Sequence, residues 1–275
     1  MSHIRSRGVR AALAAATALV GIGGATLAAG LTAPAASATS SAPPQHYLCY
    51  VASAKKGFTV PPGIILINPI APNGVKPTVG PANLLCNPAL KIIPGATFPI
   101  TNPTWHFLGF KITATQASAT LTVSNQFGTG NVITGNPNEL LVPSWKSLTG
   151  PPNQPVSAPP GEDHYTCYPV KLAKGSKFTP PSAVSVQDEF TPASTGPVNV
   201  TVGKPQELCL ATTKILPTGQ QFPPSDPTLH YLCFKVTKTP IINPVFVQNQ
   251  FGTGPVTVKV TKWLCLPSSI AGPTG

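Results

Sequence analysis

The sequence predicts an all-β protein, and three observations carry that prediction. Proline and glycine, 35 and 24 of 275 residues, punctuate the whole chain. Between them stand short runs rich in Val, Ile, Thr, Phe and Tyr. Two of these, Val198-Asn199-Val200-Thr201-Val202 and Val256-Thr257-Val258-Lys259-Val260, alternate apolar and polar as half-buried strands do. Beyond the N-terminal leader, no segment keeps a helical period for ten residues without a Pro or Gly.

That leader is Met1 to Ala38. A basic start (Arg5, Arg7, Arg10) runs into an Ala/Leu/Val/Gly-rich stretch that ends in the small-residue site Ala36-Ser37-Ala38, the pattern of a cleaved secretory signal. A membrane association is expected only if this segment is retained. Cleavage removes all three arginines and leaves fifteen lysines against seven acids. Lysine lacks the bidentate guanidinium fork used to read bases, and the lysines are spread one per strand-like segment without a stripe. Nucleic acid is therefore excluded as a partner, whereas attraction to an anionic cell-wall polymer is expected from charge.

The chain is organised by an internal repeat. Asn249-Gln250-Phe251-Gly252-Thr253-Gly254 recurs unbroken as Asn125-Gln126-Phe127-Gly128-Thr129-Gly130. Extending outward, His230-Tyr231-Leu232-Cys233-Phe234 aligns with His106-Phe107-Leu108-Gly109-Phe110, and Leu264-Cys265-Leu266-Pro267-Ser268 with Leu140-Leu141-Val142-Pro143-Ser144. Two looser copies begin at His46-Tyr47-Leu48-Cys49-Tyr50 and His164-Tyr165-Thr166-Cys167-Tyr168 and lead to Cys86 and Cys209. Four units follow, at 46–88, 106–146, 164–211 and 230–268. Residues 149–161 hold five prolines and read as a semi-rigid linker. The expected architecture is two tandem β-sandwich or barrel-like domains, 39–148 and 162–270, each an internal duplication of a roughly fifty-residue unit.

Six cysteines in an exported chain imply a disulfide framework. Unit two lacks both of its cysteines, at Gly109 and Leu141, and a bridge within each unit explains that joint loss. The expected bridges are Cys49–Cys86, Cys167–Cys209 and Cys233–Cys265, each worth roughly 3–4 kcal/mol by the chain-entropy model. No Cys-x-x-Cys pair suggests zinc, and neither a metal nor a cofactor is expected.

Candidate chemistry is sparse. His46, His106, His164 and His230 each open a unit, and a residue repeated in this way belongs to the fold before it belongs to a site. In the Asn-Gln-Phe-Gly element, Phe251 is expected to anchor a turn, with Asn249 and Gln250 bonding backbone within it. Of the seven acids, the first domain holds only Glu139, so it cannot carry a two-carboxylate site by itself. Asp188-Glu189 is the densest pair, in a strand that points the two side chains to opposite faces. There is no Gly-x-Ser-x-Gly elbow and no phosphate-cradling loop. Trp105, Trp145 and Trp263 occupy positions the units do not share, which makes them the first candidates for stacking on a ligand, followed by Tyr47, Tyr50, Tyr165, Tyr168 and Tyr231.

The recurring His-Tyr-x-Cys-Tyr, Asn-Gln-Phe-Gly and Leu-Cys-x-Pro-Ser elements resemble secreted bacterial modules classed as a domain of unknown function. The resemblance implies an exported tandem β module and brings no catalytic residues. The expected function is that of a secreted or surface-associated, non-enzymatic module that binds cell-wall polymer or polysaccharide. The alternatives are a self-associating matrix protein and a hydrolase with an unrecognised site.

Overall fold

A computed structural model describes residues 44–54, 56–237 and 240–273; the leader expected over 1–38 lies outside the described residues. Each unit contributes two long strands and an excursion between them. In unit one these are β1 (His46–Ser53), the hairpin β2 (Ile65–Asn68) and β3 (Ala71–Val75), and β4 (Thr78–Ile93), followed by β5 (Ala96–Phe98). Unit two has β6 (His106–Thr113), β7 (Thr120–Asn125), β8 (Gly128–Thr134) and β9 (Glu139–Ser147). Unit three has β10 (His164–Leu172), β11 (Val184–Gln187), β12 (Val198–Val200) and β13 (Val202–Ile215), then β14 (Gln221–Phe222). Unit four has β15 (His230–Val236), β16 (Pro240–Asn249) and β17 (Gly252–Pro273).

The eight long strands pair in chain order, all antiparallel: β1 with β4, β4 with β6, β6 with β9, β9 with β10, β10 with β13, β13 with β15 and β15 with β17. β17 then returns to β1, so the ring closes into one barrel with no open edge. This corrects the expected two domains. The linker 149–161 joins β9 to β10, two neighbouring staves of a single barrel, just as 94–105 joins β4 to β6 and 216–229 joins β13 to β15. Its prolines mark a surface crossing, and the barrel draws two units from each side of it.

Side-chain alternation sorts the strands into an inside and an outside. The residue after each histidine points inward. Tyr47, Phe107, Tyr165 and Tyr231 meet in a closed ring, with consecutive centroids 4.8, 5.5, 5.1 and 5.3 Å apart. Two residues further along, directly paired cysteines form the three expected bridges, Cys49–Cys86, Cys167–Cys209 and Cys233–Cys265, in the same lumen. The lumen is thus a packed core.

In unit two the bridge is replaced by Gly109 opposite Leu141. A Cβ at 109 would lie 2.4 Å from Glu139 Oε1 and 2.8 Å from Leu84 Cβ. The carboxyl of Glu139 occupies the space a cysteine would need. Gly109→Ala is therefore expected to destabilise by about 1–3 kcal/mol through overpacking, read as a lower denaturant midpoint at unchanged m-value.

The outward residues, among them Leu48, Tyr50, Leu108, Phe110, Tyr168, Leu232 and Phe234, are covered by the excursions, which fold back over the barrel. Each excursion adds a strand to the extended end of the second long strand of the opposite unit: β2 to β13, β11 to β4, β7 to β17 and β16 to β9. Units one and three exchange hairpins, and so do units two and four.

Candidate functional site

Two clusters of buried polar groups lie at opposite ends of the barrel. The first is at the end where the histidines begin their strands. Each Asn-Gln-Phe element is a turn in which the first side chain accepts the backbone N–H two residues on: Asn125 from Phe127 (2.8 Å), Asn249 from Phe251 (2.8 Å), Asp188 from Phe190 (3.0 Å) and Asn68 from Ile70 (3.2 Å). The expectation for Asn249 holds. Gly252 follows with φ +139°, and a Cβ there would strike Gly57 O at 2.0 Å. Gln250, expected to bond within the turn, instead reaches the preceding unit.

There it meets a histidine that also contacts a lysine. Lys91, Lys146 and Lys214 lie five residues after Cys86, Leu141 and Cys209, equivalent positions that fall outside the histidine, cysteine and Asn-Gln-Phe motifs. The Lys91 amine donates to Gln126 Oε1, and His46 Nε2 is 3.1 Å from the same oxygen. The Lys214 amine is 2.9 Å from His164 Nε2, which is 3.0 Å from Gln250 Nε2. Lys146 forms an ion pair with Glu189, whose Oε1 is 3.7 Å from His106 Nε2. Each amine sits over the phenylalanine of its turn, Phe127, Phe251 or Phe190, at 5.0, 5.1 and 4.4 Å. Burial lowers the lysine pKa values to about 8 for Lys91 and about 7 for Lys146 and Lys214, and that of His46 to about 3. At unit four the lysine position is Ile270, and the facing turn offers Pro69 and Ile70 in place of the amide and the ring.

Asp188 and Glu189 diverge as expected, although from a turn after β11 rather than from a strand. Asp188 is buried and accepts from Tyr50 Oη at 2.7 Å and Asn87 Nδ2 at 2.9 Å, while Glu189 faces Lys146.

The second cluster is at the opposite end of the lumen, below the disulfides. Register shifts in β4, β13 and β17 bring Asn83, Gln206 and Lys262, each three residues before a cysteine, to β-bulge positions. Glu139 and Glu207 face the lumen beside them, 2 % and 1 % exposed. The barrel unites two acids that the linear sequence assigned to separate domains. Asn83 Nδ2 donates to Glu139 Oε2 at 3.0 Å. Glu207 has no well-formed hydrogen bond to either oxygen, and the Asn138 amide beside it supports its charge only weakly. Burial raises the pKa of Glu139 to about 7 and that of Glu207 to about 8, the latter also by the charge of Glu139. The sulfurs of Cys167 and Cys209 lie within 4.8 Å of the Glu207 carboxylate, but they are bonded to each other and are not thiolate ligands.

Around this end the surface is basic. Lys76, Lys111, Lys171, Lys204 and Lys235 are exposed within two residues of the strand ends that face away from the histidines. Lys259 is exposed beside them, two residues past the Ser53–Thr257 pairing. The exposed acids among the described residues, Glu189 and Asp226, are at the histidine end. The lysines that looked scattered along the chain are gathered by the antiparallel register.

The tryptophans do not form a platform. Trp263 is 8 % exposed inside the lumen cluster. Trp145 is half-buried, its indole N–H donating to Val156 O of the linker at 2.9 Å, and Trp105 is half-buried at the same end of the barrel. Tyr47, Tyr50, Tyr165, Tyr168 and Tyr231 are all buried.

Residues 102–267 match the family model of a repeat of unknown function, DUF7450. No curated protein and no solved structure matches the chain.

Proposed function

The chain belongs to the DUF7450 repeat family, whose description carries no activity, and from its own surface we propose that it is a secreted, non-enzymatic module that docks on anionic cell-wall polymer through the lysine-rich end of the barrel. The observation that carries the reading is the set of six exposed lysines around one barrel end whose two acids, Glu139 and Glu207, are buried. A cluster of like charge at one end raises the local concentration of a polyanion and orients its approach. The leader pattern and the three disulfides support export. Stacking on a neutral sugar is less well supported, because the tryptophans and tyrosines that would carry it are buried or half-buried. Self-association has little to work with: the exposed large hydrophobic residues among those described are Ile133, Leu148 and Val156.

The test is retention of the mature protein on an insoluble anionic polymer and on a neutral polysaccharide. Retention on the anionic polymer is expected at low salt and lost at high salt. Lys111→Gln/Lys204→Gln/Lys235→Gln is expected to weaken it roughly a hundredfold, at about 1 kcal/mol per lysine near an anionic surface. Retention that survives salt and fails in Trp145→Ala would replace this reading with sugar stacking.

A further inference from the structure

The lysine, histidine and glutamine groups gathered at the histidine end hold the parts of a reaction. We propose that Lys91 and Lys214 form intramolecular isopeptide bonds with Gln126 and Gln250, closed without an added enzyme by the histidine that contacts each amide. The inference is independent of the polymer-docking reading.

Three observations converge on it. The first is composition. An amine nucleophile, a carboxamide and an imidazole meet at Lys91–Gln126–His46 and again at Lys214–Gln250–His164. The second is environment. Lys91 and Lys214 are 0 % exposed, and their amines lie over Phe98 and Phe222 at 4.4 and 4.3 Å, besides the rings of the facing turns. Burial of the amine raises the share of its neutral, nucleophilic form, in line with lysine pKa values lowered to about 8 for Lys91 and about 7 for Lys214. The third is joint replacement. Where the lysine position becomes Ile270, the facing glutamine position becomes Pro69. An amine and an amide that were merely solvated separately would have no reason to vanish together.

The chemistry balances within each site. Lysine Nζ attacks glutamine Cδ, forming the new C–N bond as the carbonyl pair moves to oxygen. His164 Nε2, 2.9 Å from the attacking nitrogen and 3.0 Å from the amide nitrogen, takes the proton from the first and delivers it to the second. The tetrahedral centre then collapses, the old C–N bond breaks and ammonia leaves. No oxidant or cofactor is consumed. At Lys91 the amine and His46 Nε2 both contact Gln126 Oε1; an amide flip sets the leaving nitrogen against His46, which lies close enough to feel the charge of Lys91. Holding both reactants in place supplies the effective concentration that makes amide exchange feasible. The Lys146–Glu189 pair is an internal control. An ionised carboxylate is a poor electrophile, so that site stays an ion pair.

The bonds would tie unit one to unit two and unit three to unit four, and so hold turns that hydrogen bonds alone leave free to fray. Peptide mapping of the purified full chain by mass spectrometry, after denaturation and reduction, reads them directly. The expected result is two branched peptides, Lys91 joined to Gln126 and Lys214 to Gln250, each short of its summed mass by one ammonia, with Lys146 recovered as a free amine. Lys214→Met should restore the ammonia at that site and leave the Lys91 branch in place. Because the readout is mass, a loss of stability in the variant does not obscure it. Recovery of Lys91 and Lys214 as free amines from the wild-type protein would overturn the proposal.

Discussion

Residues 39–148 produced alone are expected to remain unfolded, and residues 149–275 likewise, while an equimolar mixture of the two rebuilds the native barrel. The first fragment supplies β1, β4, β6 and β9, half a ring, with β1 and β9 left as open edges that in the intact chain pair with β17 and β10. Its lumen aromatics Tyr47 and Phe107 lose Tyr231 and Tyr165, the rings that close their circle. Its hairpin β2–β3 loses β13, and its strand β4 loses β11. A four-stranded sheet with bare apolar surface on both faces has no way to offset its chain entropy, which costs roughly 1–2 kcal/mol per ordered residue. The three disulfides do not rescue it, since each lies within one unit and none ties the ring shut. The measurements are near-ultraviolet circular dichroism and amide dispersion for each fragment, then for the mixture. The full chain should unfold in one cooperative transition. A fragment that melted cooperatively by itself would disprove the single-barrel account.

The histidine and cysteine spacing located the four units, and the structure starts one long strand of each unit at the histidine and runs the other through the second cysteine position. The joint absence at Gly109 and Leu141 located the bridges, because direct cross-strand pairing makes each cysteine depend on its neighbour. Closure was not legible. Whether four two-stranded units make two small sheets or one barrel depends on the register between units, which no local residue encodes. One signal did point to it. Unit two aligns without a gap to unit four, and these two share Phe110 and Phe234, which pack on the opposite unit's Phe251 and Phe127. Units one and three share Tyr50 and Tyr168, bonded to Asp188 and Asn68 of the opposite unit. Alternating similarity of this kind records hairpin exchange across the barrel, and the proline content of 149–161 obscured it by suggesting a boundary. The lysines at 91, 146 and 214 were hidden for another reason: charged residues are read as surface, and these are covered by turns from distant parts of the sequence.

Glu207→Gln should stabilise the protein above about pH 8 and leave it nearly unchanged below about pH 4.5. The folded protein holds the Glu207 carboxyl protonated up to about 8, because burial penalises the charge and Glu139 adds repulsion, against an ordinary value of 4.5. Between those values the native state binds more protons than the unfolded chain, so this group's contribution to stability falls as pH rises through the window. Glutamine has the same shape and no charge to bury. In acid, where Glu207 is itself neutral, the exchange costs little. In base the wild type must keep a buried anion that Asn138 and Lys262 compensate only in part, and relieving that is worth on the order of 3 kcal/mol. The neighbours temper the figure. Lys262 attracts the charge, and Glu139, raised to about 7 by the same burial, ionises first and opposes it. Removing that opposition by Glu139→Gln should lower the pH at which Glu207 ionises and narrow the window. Denaturant midpoints of the three proteins across this pH range read the difference directly, and a Glu207→Gln effect that stayed constant with pH would show that the carboxyl is not the group being titrated.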